Sequence, residues 1–269
     1  GKEMSYNNFM DCDAAAAMTA GFSKPAAAVI KHTNPCGFGT GENISEAYEL
    51  AHLADPKSAY GGIVSLNRKC DQETAELIHS TFIELVIAPE YDEQAIEILT
   101  KKKNIRIIQG NYDNSAETEY RYLKGAFLVQ DRDVAGYREH FDIVSKRKPN
   151  DREFEAMELA WHVCRYVKSN AIVIATPGRT LGIGAGQMSR VDSVDIAIRK
   201  SGGMAAYTGG SAMASDGFFP FRDSIDLAYK AGVYCVIEPG GSRNDLEVIK
   251  ACDEYDMSLV FTGRRHFKH

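Results

Sequence analysis

The chain has 269 residues, of which 44% are hydrophobic and 25% charged, and its net charge is −6. This size predicts a globular protein with one large domain or two of about 100 to 150 residues each. The acidic balance, without a Lys/Arg stripe, argues against nucleic-acid binding. No apolar run reaches the roughly 18 residues that span a bilayer, and no signal-peptide pattern is present. We therefore expect a cytoplasmic protein without membrane partners.

Strand-like and amphipathic helical segments alternate along the chain, which predicts an α/β fold with a largely parallel sheet covered by helices. In the first half, the predicted strands are AAAVIKH, ELVIAP and IRIIQ. Predicted helices begin between them at Asn43, which stands three residues before Glu46, and at Asp92.

Further along, the polar stretch 111–149 is predicted to connect a first subdomain at 1–110 to a second at 150–269. Asn150 and Glu153 stand at the spacing of a helix N-terminus, and the strand AIVIA follows that helix.

Two segments recur between the halves. VIAP at 86–89 returns as VIEP at 236–239, and Lys31-His32-Thr33-Asn34 has a partner in Lys168-Ser169-Asn170. Repeated supersecondary units at such spacing predict two related α/β subdomains.

The pair Lys31-His32 is the most chemically informative feature. It ends a predicted strand and precedes Thr33-Asn34-Pro35-Cys36-Gly37, which we interpret as a Gly/Pro loop leading to a helix. Open α/β sheets bind ligands at the carboxyl ends of strands, and an imidazole beside an ammonium offers a proton acceptor next to a fixed charge. The alternative is a solvated sheet edge with no catalytic role.

Other motifs carry weaker signals. The segment Gly182-x-Gly184-x-Gly186 does not have the Gly-x-Gly-x-x-Gly spacing of a dinucleotide site. The cysteines are widely scattered without the close pairing of a structural zinc site, which predicts buried thiols, a reducing compartment and no metal site; they are Cys12, Cys36, Cys70, Cys164, Cys235 and Cys252.

Seven motifs occur in order: VIKHTNPCG, DPKSAYGG, VKSNAIV, LGIGAGQMSRVDS, MASDGFFPFRDSID, IEPGGSRNDLEVI and FTGRRHFKH. Together they resemble the transformylase region of the bifunctional AICAR transformylase/IMP cyclohydrolase family, over essentially the whole chain. The resemblance implies two tandem cytidine-deaminase-like α-β-α subdomains with mainly parallel mixed sheets. It also implies formyl transfer from 10-formyltetrahydrofolate to the 5-amino group of AICAR, giving FAICAR and tetrahydrofolate in IMP biosynthesis.

The resemblance assigns roles to individual residues. It implies that His32 is the general base, that Lys31 is its electrostatic or acid partner, and that Asn170 orients the base and binds the AICAR carboxamide. The AICAR-binding residues that it implies are His32, Gly61, Glu84, Asn170, Arg190, Phe218, Arg265, Phe267 and His269. The folate-binding residues that it implies are Val191, Pro220, Asp223, Ser242 and Arg243. Each of these also has a structural alternative, such as a turn glycine, a solvated acid, a surface cation or a buried aromatic ring.

The same resemblance implies a homodimer with shared active sites and a structural potassium ion near Asn170 and the C-terminus. A zinc deaminase is the alternative that the fold suggests, but its ligands are missing. His32 has no His-x-Glu pattern, and Cys36 has no second cysteine at the required spacing.

The family's complete protein has a cyclohydrolase domain upstream and an Arg-Tyr segment that binds the nucleotide phosphate. We expect both to be absent from this chain. The alternative function is therefore a truncated fragment that binds folate and dimerises but turns over little, because the phosphate contacts are missing.

Overall fold

The computed structural model describes residues 1–20, 22–112, 118–133, 141–203 and 210–269. Its helices are α1 (Tyr6–Thr19), α2 (Ile44–Leu53), α3 (Pro56–Ala59), α4 (Gln72–Ser80), α5 (Glu93–Thr100), α6 (Asp151–Cys164), α7 (Arg190–Lys200), α8 (Asp223–Lys230) and α9 (Asp245–Glu254). Its strands are β1 (Ala26–Lys31), β2 (Asn34–Thr40), β3 (Gly62–Leu66), β4 (Ile83–Ala88), β5 (Arg106–Gln109), β6 (Thr118–Leu123), β7 (Ala126–Asp131), β8 (Asp142–Ile143), β9 (Ile172–Thr176), β10 (Arg179–Gly184), β11 (Ala212–Ser215), β12 (Cys235–Glu238) and β13 (Ser258–Phe261).

Most strands join one mixed sheet in the order β5-β4-β3-β1-β2-β10-β9-β11-β12-β13-β8. The outer pairs within β3-β4-β5 and β11-β12-β13 are parallel, whereas the pairs from β3 through β1, β2, β10 and β9 to β11 are antiparallel. The α/β prediction is confirmed, but mainly parallel pairing holds only in the outer parts. The centre is antiparallel because two hairpins, β1–β2 and β9–β10, turn through two residues each and leave no room for a crossover helix.

The two halves repeat the same order of elements. The series α1-β1-β2-α2-β3-α4-β4-α5-β5, with the short α3 inserted, returns as α6-β9-β10-α7-β11-α8-β12-α9-β13, and the two sets meet at the β2–β10 pair. The predicted repeat of VIAP and VIEP is confirmed, since the two segments begin in the equivalent strands β4 and β12. The second predicted match is wrong: Lys31 ends β1, but Lys168 precedes β9, the counterpart of β1.

Helices cover both faces of this sheet. On one face, α1 and α6 pack together over both halves, with Met18 and Met157 fully buried in that cluster. On the other face, α2, α4 and α5 cover the first half, and α7, α8 and α9 cover the second. No helix in the described part of the chain is long and apolar enough to span a membrane.

The segment interpreted as a Gly/Pro loop is strand β2, and its glycines have a packing role. A Cβ on Gly39 would overlap the carbonyl oxygen of Ala47 in α2, and a Cβ on Gly184 in β10 would overlap the carbonyl oxygen of Ser193 in α7. Glycine in a strand lets another backbone approach closely. The Gly-x-Gly spacing in each half therefore marks close contact between a strand and a helix.

The predicted helix starts agree with the structure. The Asn43 side chain accepts the N–H of Glu46 at 2.8 Å, and Asn150 and Glu153 form a reciprocal capping box. Asp92 directly precedes α5 without accepting a capping hydrogen bond there. These signals are local, which is why the sequence reveals them.

The predicted connector at 111–149 contains the strands β6, β7 and β8, and its residues 113–117 and 134–140 lie outside the described residues. β6 and β7 form a separate hairpin in which every residue is exposed, and β8 extends the main sheet beyond β13. The alternating pattern TEYRYL, the Lys124-Gly125 turn and AFLVQD together are typical of a hairpin.

Candidate active site

The predicted site residues lie along one edge of the main sheet, which we call the site edge. β1, β10, β11, β12 and β13 end there, and β3, β4 and β9 begin there, as the directions of the paired strands require. His32 follows β1, Gly61 precedes β3, Glu84 is the second residue of β4, and Asn170 precedes β9. The other predicted residues fall in segments after β10 (Arg190, Val191), β11 (Phe218, Pro220, Asp223), β12 (Ser242, Arg243) and β13 (Arg265, Phe267, His269).

His32 and Thr33 are the two turn residues of the β1–β2 hairpin. Their φ angles are 55° and 60°, the left-handed region that both positions of a tight hairpin turn require and that normally selects Asn or Gly. A β-branched threonine there is strained. His32 is exposed on this turn.

Asp11 of α1 holds this turn in place. Its carboxylate accepts the backbone N–H of His32 at 3.0 Å and that of Thr33 at 2.6 Å. Asp11 is not among the predicted site residues, because nothing in the local pattern of a helix reveals which distant turn its side chain will reach. A carboxylate bound to both turn amides fixes the backbone that carries the imidazole.

Lys31 is oriented by the backbone of the segment that precedes β3. Its Nζ donates to the carbonyl oxygen of Tyr60 at 2.7 Å, directly before Gly61, whose φ is +76°. A Cβ on Gly61 would lie 3.4 Å from the Phe82 ring and 3.9 Å from Lys31 Nζ. The ammonium, the positive-φ glycine and the aromatic ring therefore form one small surface, with two ammonium hydrogens left for a ligand.

The two halves of the chain meet at Asn34. Its Oδ1 accepts the N–H of Lys168 at 3.0 Å, and its Nδ2 donates to the His32 carbonyl at 3.4 Å. The His32 turn and the segment before Asn170 are thus linked by a single side chain, which brings the predicted catalytic residues into one region.

Asn170 belongs to a closed polar network. Its Nδ2 donates to the carbonyls of Gln187 and Met188 at 2.8 and 3.0 Å, and its Oδ1 accepts from Nη2 of Arg190 at 2.7 Å. Arg190 also pairs with the fully buried Asp216. Asn170 is held firmly, and its Oδ1 retains a second lone pair that a substrate N–H could use.

Asp216 was not predicted, yet it organises this region. Its carboxylate pairs with Arg190 and accepts the hydroxyl of Ser169, and its carbonyl accepts the N–H of His266 at 3.0 Å. The carbonyl of Lys268 accepts the N–H of Ser169 at 3.0 Å. The C-terminal segment is therefore attached to the network that holds Asn170.

Arg190 and Arg265 differ in environment, although both are predicted to bind nucleotide. The Arg190 side chain is 9% exposed and committed to its partners. Arg265 is exposed, and its guanidinium lies 5.2 Å from the centre of the Phe218 ring and 5.8 Å from that of Phe267. His269 follows, with its ring centre 6.3 Å from that of Phe267. Arg265 offers free donors between two aromatic faces, which suits a flat or anionic ligand.

Glu84 lines a cavity of about 590 Å³ beside the Lys31 surface. Its Oε2 lies 3.6 Å from Nη1 of Arg106, and the cavity is also lined by Phe82, Lys102 and Lys103. The volume is that of a typical small-molecule site, and the cations on its wall favour an anionic group.

The predicted folate residues occupy the loops at the far end of the site edge. Asp223 begins α8, is exposed, and accepts the N–H of Ser224 at 2.7 Å. Ser242 donates its N–H to Asp245 at 2.8 Å, and Arg243 is exposed. Val191 and Pro220 are half-buried. Asn244 links two of these loops, since its Nδ2 donates to the Pro220 carbonyl at 2.6 Å and its N–H donates to Ser242 Oγ at 3.1 Å.

The predicted buried thiols are confirmed, since all six cysteines are free and buried. Burial raises the pKa of Cys36 and of Cys235 to about 12, so neither is a nucleophile at neutral pH. Within the described ranges, no group of three or more His, Cys, Asp or Glu side chains could hold a metal ion.

The chain is similar to known proteins along its whole length. Residues 1–200 match the family model described as AICARFT/IMPCHase bienzyme. The whole chain is 49% identical to the bifunctional purine biosynthesis protein PurH of Halalkalibacterium halodurans, covering 53% of that protein. It is 47% identical to PurH of Bacillus subtilis over its whole length, covering 52% of that protein. The chain thus spans about half the length of the curated relatives it matches.

Similarity to solved structures is weaker. The dCMP deaminase of cyanophage S-TIM5 matches 40% of this chain and 100% of its own, at 10% identity and a TM-score of 0.30. This value is too low to bear on the fold, and the cytidine-deaminase-like character of the halves stays a prediction.

Proposed function

Because the chain belongs to the AICARFT/IMPCHase bienzyme family, we propose that it transfers the formyl group of 10-formyltetrahydrofolate to the 5-amino group of AICAR, in purine biosynthesis. The observation that carries the proposal is the His32 turn. Asp11 holds the backbone of this turn through its two amides, and the turn carries an exposed imidazole next to an ammonium that Tyr60 orients, at an edge shared with Asn170.

The chemistry requires these two groups. The AICAR amine attacks the formyl carbon, forming a C–N bond and an oxyanion, and must lose a proton because its lone pair is delocalised into the ring. His32 accepts that proton, and Lys31 stabilises the oxyanion. The oxyanion then re-forms the carbonyl, the bond to the folate nitrogen N10 breaks, and that nitrogen takes up the proton that His32 holds. General-base help is worth about 10² to 10⁴ in rate, and charge stabilisation a comparable factor.

The surroundings suggest how AICAR lies. The cavity beside Glu84 has room for a ribose, with the carboxylate bonding hydroxyls and Lys102, Lys103 and Arg106 favouring the phosphate. The free lone pair of Asn170 Oδ1 would accept a hydrogen bond from the carboxamide N–H of AICAR. Phe218 and Arg265 would pack against the flat heterocycle.

These contacts do not all fit one nucleotide in one chain. Adjacent strands lie about 4.8 Å apart, so β3 and β11, five positions apart in the sheet, are separated by about 24 Å. We therefore propose a homodimer in which Gly61 and Glu84 of one subunit share a ligand with Phe218 and Arg265 of the other. The folate-binding residues of each subunit would then lie over His32, the general base, of the other subunit.

The β6–β7 hairpin supports dimerisation. An isolated hairpin is marginally stable in water, and this one exposes six large apolar side chains, namely Tyr120, Tyr122, Leu123, Phe127, Leu128 and Val129. An apolar patch of this kind marks an interaction surface. We propose that a second copy of the chain covers it.

A potassium ion would act on the Asn170 segment. The hydroxyl of Ser169, the carboxylate of Asp216 and nearby backbone carbonyls are oxygen donors of the kind that hard cations prefer. Such an ion would tie residues 168–170 to the C-terminus. Stability measured in potassium and in sodium chloride at equal ionic strength would test this: a higher Tm in potassium supports the proposal, and equal values contradict it.

The function is tested by following tetrahydrofolate release from AICAR and 10-formyltetrahydrofolate. We expect His32→Ala to lower kcat by about 10²-fold or more, while His52→Ala, which removes a half-buried imidazole on α2, leaves it unchanged. Equal rates for wild type and His32→Ala would contradict the assignment of the base. Activity that appears only when the Arg-Tyr segment of a relative is added would support the fragment alternative.

Shared active sites are tested by mixing two inactive variants. A heterodimer of His32→Ala and Arg265→Ala would contain one site with both substitutions and one with neither. We expect the mixture to regain activity that each variant lacks alone. No recovery, with subunit exchange shown by tagged copies, would place each site within one chain.

A further inference from the structure

Glu238 is a buried carboxyl group that the proposed reaction does not use. It ends β12 at the site edge and is fully buried. Its Oε2 accepts the N–H of Phe219 at 2.8 Å, and its backbone carbonyl accepts the N–H of Thr262 at 2.9 Å. It therefore contacts the loop that carries Phe218 and the strand end that leads to Arg265.

The other carboxyl oxygen, Oε1, is buried and has no hydrogen-bond partner among the described residues. The charged groups that act on Glu238 are Asp245 at the start of α9 and Arg190 at the start of α7, and the thiol of Cys252 on α9 also faces it. Arg190 is already paired with Asp216 and bonded to Asn170. Within the part of the chain that the structure describes, a negative charge on Glu238 would thus lack a counterion of its own.

Burial raises the pKa of Glu238 to about 8, against the opposing effect of the Phe219 N–H, and Asp245 adds to the rise. The Arg190 guanidinium and the Gly240 amide lower it, but by less than burial raises it. At neutral pH the group is therefore mostly a neutral carboxylic acid, which a buried site without a free counterion favours.

We propose that Glu238 is a positioning residue that works in its protonated form. The neutral group supports the Phe218 loop and leaves Arg190 bound to Asp216 and Asn170. The ionised group draws Arg190 away from these partners and weakens nucleotide binding. The ligand part of this inference rests on the proposed function. The protonation part does not, because it concerns the folded chain alone.

The protonation is tested by the pH dependence of folding. A carboxyl group whose pKa is higher in the folded state makes a contribution that is fully present below its unfolded pKa and is lost as the pH rises to the folded pKa. Between the ordinary pKa of 4.5 and about 8, the folding constant of the wild type should fall about tenfold per pH unit relative to that of Glu238→Gln.

Glu247→Gln is the matched control, since it removes an exposed carboxylate from α9, and its curve should run parallel to that of the wild type. If Glu238→Gln also runs parallel to the wild type, the inference is overturned. Should Glu238→Gln fail to fold, Asp245→Asn provides the same test. Because that variant lacks the Asp245 charge, its folding stability should be lost over a lower pH range than that of the wild type. An unmoved transition would equally overturn the inference.

The positioning role is tested by AICAR affinity, measured by calorimetry at pH 7 and pH 9. We expect the Kd of the wild type to rise about tenfold, as the neutral fraction of Glu238 falls, and that of Glu238→Gln to change much less. If both proteins lose affinity equally while their stabilities differ as expected, the positioning role is refuted. If neither binds AICAR at any pH, the proposed function fails, and the folding curves still decide the protonation.

Discussion

Replacing Asp11 tests whether the structure holds His32 in a strained turn. Hydrogen bonds to a charged acceptor are worth about 1.5 to 3 kcal/mol each, and Asp11 accepts two, from His32 and Thr33. Alanine returns about 0.6 kcal/mol through helix propensity, and water satisfies part of the exposed turn. We expect Asp11→Ala to lower the free energy of unfolding by about 2 kcal/mol in urea titrations, with an unchanged m value.

The same variant should lower kcat for formyl transfer more than tenfold, because the imidazole loses its fixed backbone. Asp13→Ala on the same helix removes an exposed carboxylate that accepts the hydroxyl of Tyr112 at 3.1 Å, and it should cost only about 1 kcal/mol. Adding Thr33→Gly to Asp11→Ala should restore about 1 kcal/mol, since glycine adopts the positive φ without strain. Equal losses for Asp11→Ala and Asp13→Ala would refute the view that the carboxylate holds the turn.

Three further outcomes are expected. Gly184→Ala should lower the free energy of unfolding by about 3 kcal/mol. Gly186 has open space around a Cβ but a φ of +69°, so Gly186→Ala should lower it by about 1 kcal/mol. Similar losses for the two variants in urea titrations would contradict the packing role of Gly184. Burial raises the pKa of Cys12 to about 11 and that of Cys36 to about 12. A thiol reagent at pH 8 should therefore label these cysteines far more slowly in the native chain than in the unfolded chain. Rapid labelling of either cysteine in the native chain would disprove its burial. Phe127→Asp should convert a dimer to monomers in sedimentation runs without changing the Tm by more than a few degrees; an unchanged sedimentation coefficient would exclude the hairpin from the interface.

The sequence predicts features that depend on neighbouring residues. Helix starts at Asn43 and Asn150 agree with the structure because a cap involves residues only three positions apart. The repeated VIAP segment similarly reveals equivalent strands, since each copy forms the same local structure.

Features that depend on distant contacts were missed or misread. Strand β2 was interpreted as a loop because its glycines look like turn residues until α2 is packed against them. Asp11 and Asp216 carry no local signal, since their partners lie far along the chain. The site residues themselves came from motif resemblance, and the geometry adds the groups that hold them.

The central β2–β10 pair gives the duplicated fold a capacity to specialise. The turns His32-Thr33 and Pro177-Gly178 occupy equivalent places in the two repeats, but the antiparallel pairing sets them at opposite edges of the sheet. In two identical copies, both turns would evolve together. When the repeats are joined in one chain, one turn can keep reactive side chains in a strained conformation while the other is an unstrained Pro-Gly turn. Chemistry and folding then need not compete for the same residues.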